Sequence, residues 1–390
     1  MARPGSADVG GVLVHEWLAR TGGSEKVFET LAAGFPDADL LCLWNDAPDR
    51  FGTRPVRETW LGRSPLRRHK AMALPIMPFV WRGRPAGGYD WVLASTHLFA
   101  HHVSFAGPAA PKFAYVHTPA RYIWNPELDA RGSAWAVRAV SAPLRPLDRR
   151  RAKEPVALAA NSAFVRERIA AAWDRDAVVI HPPVEVELIQ GVPSWADELA
   201  ADERELLDSL PGTFVLGASR FVPYKRLDLV IAAGESAGVP VVIAGSGPLR
   251  DELVQRAARA TVPVRFVDAP RDALLFALYE RATVYVFPPV EDFGIMPVEA
   301  MACGCPVVAN REGGASESVR PGVSGELVDV ASPASVRDGL VRAAALDRRR
   351  VREHAVRFRR ERFIDEIRTW LSAHGAPVGG PARLDGEQER

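Results

Sequence analysis

The feature that most constrains this chain is a repeated alternation of short, continuously apolar runs with segments of helical period. "GVLVHEW" (11–17), "YDWVLAS" (89–95), "KFAYVH" (112–117) and "PVALAA" (155–160) form one series. "TFVLGAS" (213–219), "VPVVIAG" (239–245), "VRFVDA" (264–269), "TVYVFP" (283–288) and "PVVAN" (306–310) form another. Runs apolar at every position read as strands covered on both faces, which is the habit of parallel sheets. Helical periods fall between them, from Ser24 as a candidate N-cap, after Asn161-Ser162, at 227–236, 248–259, 271–281 and 297–303, and in one long helix over about 333–372. Strand–helix alternation on this scale makes a doubly wound α/β domain. It occurs twice, and 390 residues exceed what one core usually serves. The expected division is a domain over 1–190, a proline-rich then acidic linker over 191–212, a domain over 213–373 whose last helix can pack back on the first, and a disordered tail over 374–390.

Charge excludes little. Lys+Arg total 49 and Asp+Glu 48, so no polyanion such as nucleic acid is expected as partner. Eight basic residues against one acid lie between Arg54 and Arg84, and a second basic run spans Arg145, Arg149, Arg150, Arg151 and Lys153. Such clusters suit an anionic lipid or acceptor, and the segment "AMALPIMPFVW" (71–81) between basic flanks could lie on a membrane. An arginine-rich composition, with only five lysines, accounts for them equally well. Three cysteines make neither a disulfide framework nor a zinc site. Residues 1–10 carry no apolar leader segment, and a cytoplasmic location is expected, with the inner membrane face as the place where the basic clusters would meet lipid.

In doubly wound folds, ligands meet the loops that leave the strands' carboxyl ends. The loop "PPVEDFGIMPVEA" (288–300) carries Glu291, able to accept from sugar hydroxyls. Backbone N–H groups follow around Gly294, Ile295 and Met296, with Pro297 at the first helical position and Glu299 in the first turn, within reach of a ribose diol. Glu299 as a mere complement to the helix dipole is the plainer reading. Arg220 and Lys225 in "GASRFVPYKRLDLV" could converge on a diphosphate, or be two surface cations. Gly22-Gly23 before a helix could turn N–H groups to phosphate, or simply turn the chain. His117 ends a strand, while Arg121, Tyr122 and Trp124 could form an acceptor platform or pack locally. Gly245-x-Gly247 lacks the rest of a dinucleotide fingerprint, and Asp37-x-Asp39 and Asp174-x-Asp176 fit element boundaries better than a metal site.

Taken together, Gly22-Gly23, "VHTP" (116–119), "ANSAFVRERI" (160–169), "HPPV" (181–184), Arg220 with Lys225, "AGSGP" (244–248) and the Glu291-x7-Glu299 segment resemble the retaining glycosyltransferases of family 4. Their subgroup of bacterial enzymes for surface polysaccharides or glycolipids, often mannosyltransferases using GDP-mannose, is the nearest in appearance. The resemblance implies the GT-B fold, two Rossmann-like domains facing a cleft. It implies Arg220 and Lys225 on the donor diphosphate and the Gly23 N–H on the distal phosphate. It also implies Glu291 and the backbone of Phe293 through Met296 on the sugar, Glu299 on the ribose, the backbone near Val267 on the base, and His117 beside the anomeric carbon. It further implies no metal and no cofactor, the nucleotide sugar being a co-substrate. A glycan or lipid-linked acceptor follows from the same likeness. A nucleotide-sugar epimerase and a non-catalytic nucleotide-sugar-binding scaffold are the alternatives.

Overall fold

A computed structural model describes residues 10–20, 22–85, 87–124 and 143–378. Its contacts divide the chain into a first unit, 1–183 with 361–390, and a second, 184–360.

The first unit is built on a parallel sheet. Its strands are β1 (Gly11–His15), β2 (Asp39–Cys42), β3 (Val56–Glu58), β4 (Trp91–Thr96), β5 (Lys112–Val116), β6 (Ala157–Ala160) and β7 (Val178–Val179). Their order is β3-β2-β1-β4-β5-β6-β7, so the winding reverses between β1 and β4. Along β1, Val12 and Val14 enter one core and Leu13 the other, which is why the run is apolar at every position. The second unit repeats the plan with β8 (Val215–Ala218), β9 (Val241–Gly245), β10 (Val264–Asp268), β11 (Val284–Phe287), β12 (Val307–Asn310) and β13 (Gly325–Val328). The order is β10-β9-β8-β11-β12-β13, with the reversal between β8 and β11. All of these pairings are parallel. These are the two doubly wound sheets of a GT-B architecture.

Several local expectations change. Residues 191–212 are not a free linker: the helix Ala201–Ser209 and the turn Trp195–Glu198 belong to the second unit, where Trp195 packs on Phe276 with ring centroids 4.8 Å apart. The long helix expected over 333–372 is three helices, Pro333–Ala344, Arg348–Ala355 and Arg360–Ala373. Ser332 and Asp347 cap the first two through side-chain oxygens that accept from Ser335 N–H and Arg349 N–H. The third helix places Phe363, Ile367, Trp370 and Leu371, one helical stripe, in the first unit's core. Ala376 is buried there too and Val378 packs against that core, so these two residues of the expected tail belong to it. The rest of the expected tail, 379–390, and the N-terminal residues 1–9 lie outside the described residues. Ser162 caps the helix Ala163–Trp173 as its position suggests, accepting from Val165 N–H at 3.0 Å. Ser24 does not cap: the helix Gly23–Gly34 begins after Gly22, and the Ser24 hydroxyl donates to Glu25.

Candidate active site

In the second unit, two loops meet beside the reversal between β8 and β11. After β8 the chain passes Arg220 and turns through Pro223–Lys225. Phe221 N–H donates to Ser246 O at 2.7 Å, and Leu249 N–H donates back to Phe221 O at 3.1 Å. This close approach explains "AGSGP": a Cβ on Gly245 would sit 1.9 Å from Ser219 O, and one on Gly247 2.7 Å from Phe221 O. Those glycines therefore brace the loop that carries the cations. After β11, Glu291 reaches Lys225, and the buried ammonium and the half-buried carboxylate form a short ion pair. Two sequence segments 66 residues apart thus share one site. Gly314 N–H holds the carboxyl-bearing loop by donating to Glu291 O at 2.7 Å, and Asn310 Nδ2 donates to Pro288 O at 3.2 Å. "REGGASE" (311–317) was missed as a site element; its signal was a glycine pair straight after a strand.

The helix that follows is Ile295–Ala302, beginning before the proline that suggested its start, Pro297. Gly294 precedes it at φ 91°, a conformation that favours glycine, with no side-chain cap. The N–H groups of Ile295 and Met296 have no helical carbonyl to bond. Glu299 consequently lies in the second turn, not the first, and is buried, which removes the simple dipole explanation. Arg220 is exposed, and its guanidinium donates to Tyr224 Oη at 2.9 Å; Lys225 Nζ lies 5.4 Å from the centroid of the same ring. Val267 is buried in the edge strand β10, its backbone in register with Ala244 of β9. Phe293 is buried against Phe358, with centroids 5.6 Å apart.

In the first unit, the carboxyl ends of β1, β4 and β5 gather His15, Glu16, Ser95, Thr96, His97 and His117. Register makes His15 the neighbour of Ser95 and Val116 the neighbour of Thr96. Glu16 is wholly buried. Its Oε1 accepts from Thr96 Oγ1 at 2.8 Å and from the N–H groups of His97, Leu98 and Ala100 at 3.1, 2.8 and 2.9 Å. Burial opposes its ionisation, but His97, His15 and these donors outweigh that and bring it down to about 2. Burial, reinforced by His15 and His97, holds His117 well below the usual imidazole value. Ser95 Oγ lies 2.8 Å from His117 Nε2. The signals missed in the sequence were "HE" closing β1 and "STH" closing β4.

Gly22 and Gly23 stand at the start of their helix as expected, but a carboxylate is already there: a Cβ on Gly22 would meet Glu25 Oε2 at 2.0 Å. Arg121 and Tyr122 begin a four-residue helix ending at Trp124. Trp124 is committed to packing rather than to an open platform. Its indole donates to Asp148 at 2.7 Å, and the guanidiniums of Arg149 and Arg145 lie 5.3 and 5.7 Å from its ring. Asp148 also accepts from Trp173 at 2.7 Å and pairs with His102 at 2.9 Å. Among the described residues, two side-chain groups are close enough to hold an ion, His15–Glu16–His97 and His101–His102–Asp148, but both carboxylates already serve these hydrogen-bond nets. Many of the clustered arginines are engaged locally: Arg54 with the carbonyls of Ala32, Phe35 and Ala38, Arg57 with Asp39, Arg82 with Glu154 and Arg149 with Ala172 O.

Residues 202–361 match the family described as Glycosyl transferases group 1. The chain is similar to that family. A D-inositol 3-phosphate glycosyltransferase of Mycobacterium marinum is 34% identical over 220 residues, 52% of this chain and 45% of that protein. A GDP-mannose-dependent alpha-(1-6)-phosphatidylinositol monomannoside mannosyltransferase of Mycolicibacterium smegmatis is 33% identical over 184 residues, 43% of this chain and 47% of that one. The chain thus spans about half the length of the curated relatives it matches. Among solved structures, Anabaena HepE in complex with UDP superposes with a TM-score of 0.67 at 21% identity, covering 93% of this chain and 100% of HepE. Sucrose-phosphate synthase of Thermosynechococcus elongatus superposes at 0.64 and 19%, covering 93% and 98%. At such identities these two establish the two-domain fold alone.

Proposed function

We propose that this protein transfers a hexosyl group from a nucleoside diphosphate sugar to a hydroxyl acceptor, with retention at the anomeric carbon. The observation that carries the reading is the Lys225–Glu291 pair at the second unit's strand reversal, beside the uncapped helix start at Ile295. The chemical difficulty is departure of the diphosphate, which gains charge as the bond from the anomeric carbon to the phosphate oxygen breaks. A lysine ammonium has three donors, so Lys225 can keep Glu291 and still take a phosphate oxygen. Glu291 can then accept from a sugar hydroxyl, Ile295 and Met296 N–H groups can take further oxygens, and Arg220 can swing from Tyr224 onto the diphosphate. Glu299 is assigned to the ribose, the backbone near Val267 to the base and Gly23 to the distal phosphate. His117 is assigned to the anomeric centre. No metal is assigned a step.

GDP-mannose is the preferred donor, supported by the relative named for its dependence on that compound. The UDP bound by HepE makes UDP-sugars the comparison. Losing one fixed donor to a developing charge costs on the order of 10²–10³ in rate. Lys225→Ala is therefore expected to lose that much kcat at saturating donor, and unchanged turnover would remove Lys225 from the reaction. Slow hydrolysis of the donor without acceptor separates a transferase from a binding scaffold, and epimerised donor would support the epimerase reading.

Membrane contact is proposed on a different observation. Trp60, Met72 and Phe79 are 54%, 64% and 66% exposed, within one segment that also exposes Arg63, Arg68 and Lys70. Apolar anchors among cations suit an anionic lipid surface. No helix among the described residues is long and apolar enough to cross a membrane.

A further inference from the structure

From the hydrogen bonds around Ser95, we infer that this serine fixes the tautomer of His117, so that His117 presents Nδ1–H as a neutral donor and does not serve as a base. The inference rests on the transferase reading only for what the donor is used for.

The chain of bonds determines the protons. His15 Nδ1 lies 3.0 Å from the carbonyl oxygen of Ser95, which can only accept, so His15 carries its proton on Nδ1. The same N–H is 3.2 Å from Ser95 Oγ, which takes the role of a second acceptor. The serine proton is then directed away from His15. Its other neighbour is His117 Nε2 at 2.8 Å, which must supply the lone pair. A neutral imidazole with a lone pair on Nε2 has its proton on Nδ1. Burial lowers both rings, in His15 against the pull of the Glu16 carboxylate and in His117 with His15 and His97 adding to it, so at neutral pH neither ring supplies two protons.

Position supports the same assignment. Ser95 and His15 are register partners on adjacent strands, and both are fully buried. Phe28 stacks on the His15 ring with centroids 5.0 Å apart, and Thr96 O accepts from His117 N–H at 2.8 Å. Each member is thereby held before any ligand arrives. His117 keeps 8% exposure, and among the described residues its ring makes no hydrogen bond besides that to Ser95. Its Nδ1–H is the edge available to a ligand oxygen. Such a donor can steady a hydroxyl or an oxygen gaining charge. It cannot remove the acceptor's proton, which in a retaining transfer passes to the departing phosphate oxygen as the new glycosidic bond forms. Ser95 is a positioning residue in this scheme.

The test is a long-range 1H–15N correlation spectrum of protein labelled with 15N-histidine, with His117 assigned by comparison with His117→Asn. The expected result is a pyrrole-type Nδ1 and a pyridine-type Nε2 for His117 near neutral pH. Ser95→Ala should shift His117 toward a mixture of tautomers and lower kcat about tenfold with KM little changed, the size of one lost hydrogen bond. Ser95→Thr, which keeps the hydroxyl, should restore both. A pyrrole-type Nε2 in the wild-type spectrum overturns the inference without any variant having to fold, as does a His117 tautomer indifferent to Ser95→Ala. A changed tautomer with unchanged kcat would leave the Ser95 assignment standing and instead remove His117 from the proposed reaction.

Discussion

Replacing Glu16 by alanine should destabilise the first unit more than any surface change, and the amount follows from its partners. Oε1 answers three backbone N–H groups, those of His97, Leu98 and Ala100, and the Thr96 hydroxyl. Without the carboxylate these donors stay buried and unanswered, each at a cost of roughly 1–3 kcal/mol. The costs do not simply add, since the turn can relax, and removal of one member of a buried charged group typically costs about 3–5 kcal/mol. That is a large share of the roughly 5–15 kcal/mol that holds a domain folded. Glu16→Gln keeps a carbonyl oxygen in the same place, and its amide can donate to His97 Nδ1, now 3.3 Å from Oε2. Charge-assisted bonds are about twice as strong as neutral ones, so the glutamine should cost only about 1–2 kcal/mol. Because the chain has two units, global unfolding need not be two-state, and native-state hydrogen exchange at the Leu98 and Ala100 amides is the better assay. A loss of protection below about 1 kcal/mol in Glu16→Ala, or equal losses in both variants, would refute the account.

Acid should act on the same unit. Burial lowers His15 and His117, and lowers His102 from 6.5 to about 4, so the unfolded chain takes up these protons first. Stability present above pH 6.5 is therefore lost as pH falls through about 4, and Glu16 adds a further loss between 4.5 and about 2. The melting temperature should drop steadily from pH 7 to 4, with first-unit amides losing exchange protection first; a flat profile would contradict the buried neutral histidines. Gly294→Ala should reduce donor affinity and stability together, because its φ of 91° disfavours a side chain and a Cβ would press Phe287 and Pro297 at 3.2 and 3.3 Å; unchanged binding of GDP by calorimetry would count against the helix start as a phosphate site. Replacing Trp60, Met72 and Phe79 by serine should abolish sedimentation with phosphatidylglycerol vesicles while leaving turnover on a soluble acceptor intact, and retained sedimentation would discard the membrane reading.

The fold was legible because a parallel sheet covered on both faces leaves an unambiguous record: β1, β5, β8 and β12 are buried at every residue and apolar at nearly all. Loops on the strand ends were legible as places, since the winding rule puts ligands there. What the sequence could not convey was which partners those loops would choose. Lys225 and Glu291 were each assigned to a ligand, yet they first bind one another, a long-range fact that no local pattern encodes. The same holds for Trp124, whose partner Asp148 lies 24 residues away. Glu16 was read only as part of a strand, although a buried acid closing an apolar run must find donors, and the N–H groups of the turn after β4 are those donors. Helix ends at 344 and 348 were blurred because arginine-rich segments keep helical period through a break, and the cap at Asp347 marks where the second helix starts. An isolated buried polar residue at the carboxyl end of a strand is therefore better evidence of a site than a glycine pair. It requires partners, and in a parallel sheet the adjacent strand ends at the winding reversal are the nearest source of them.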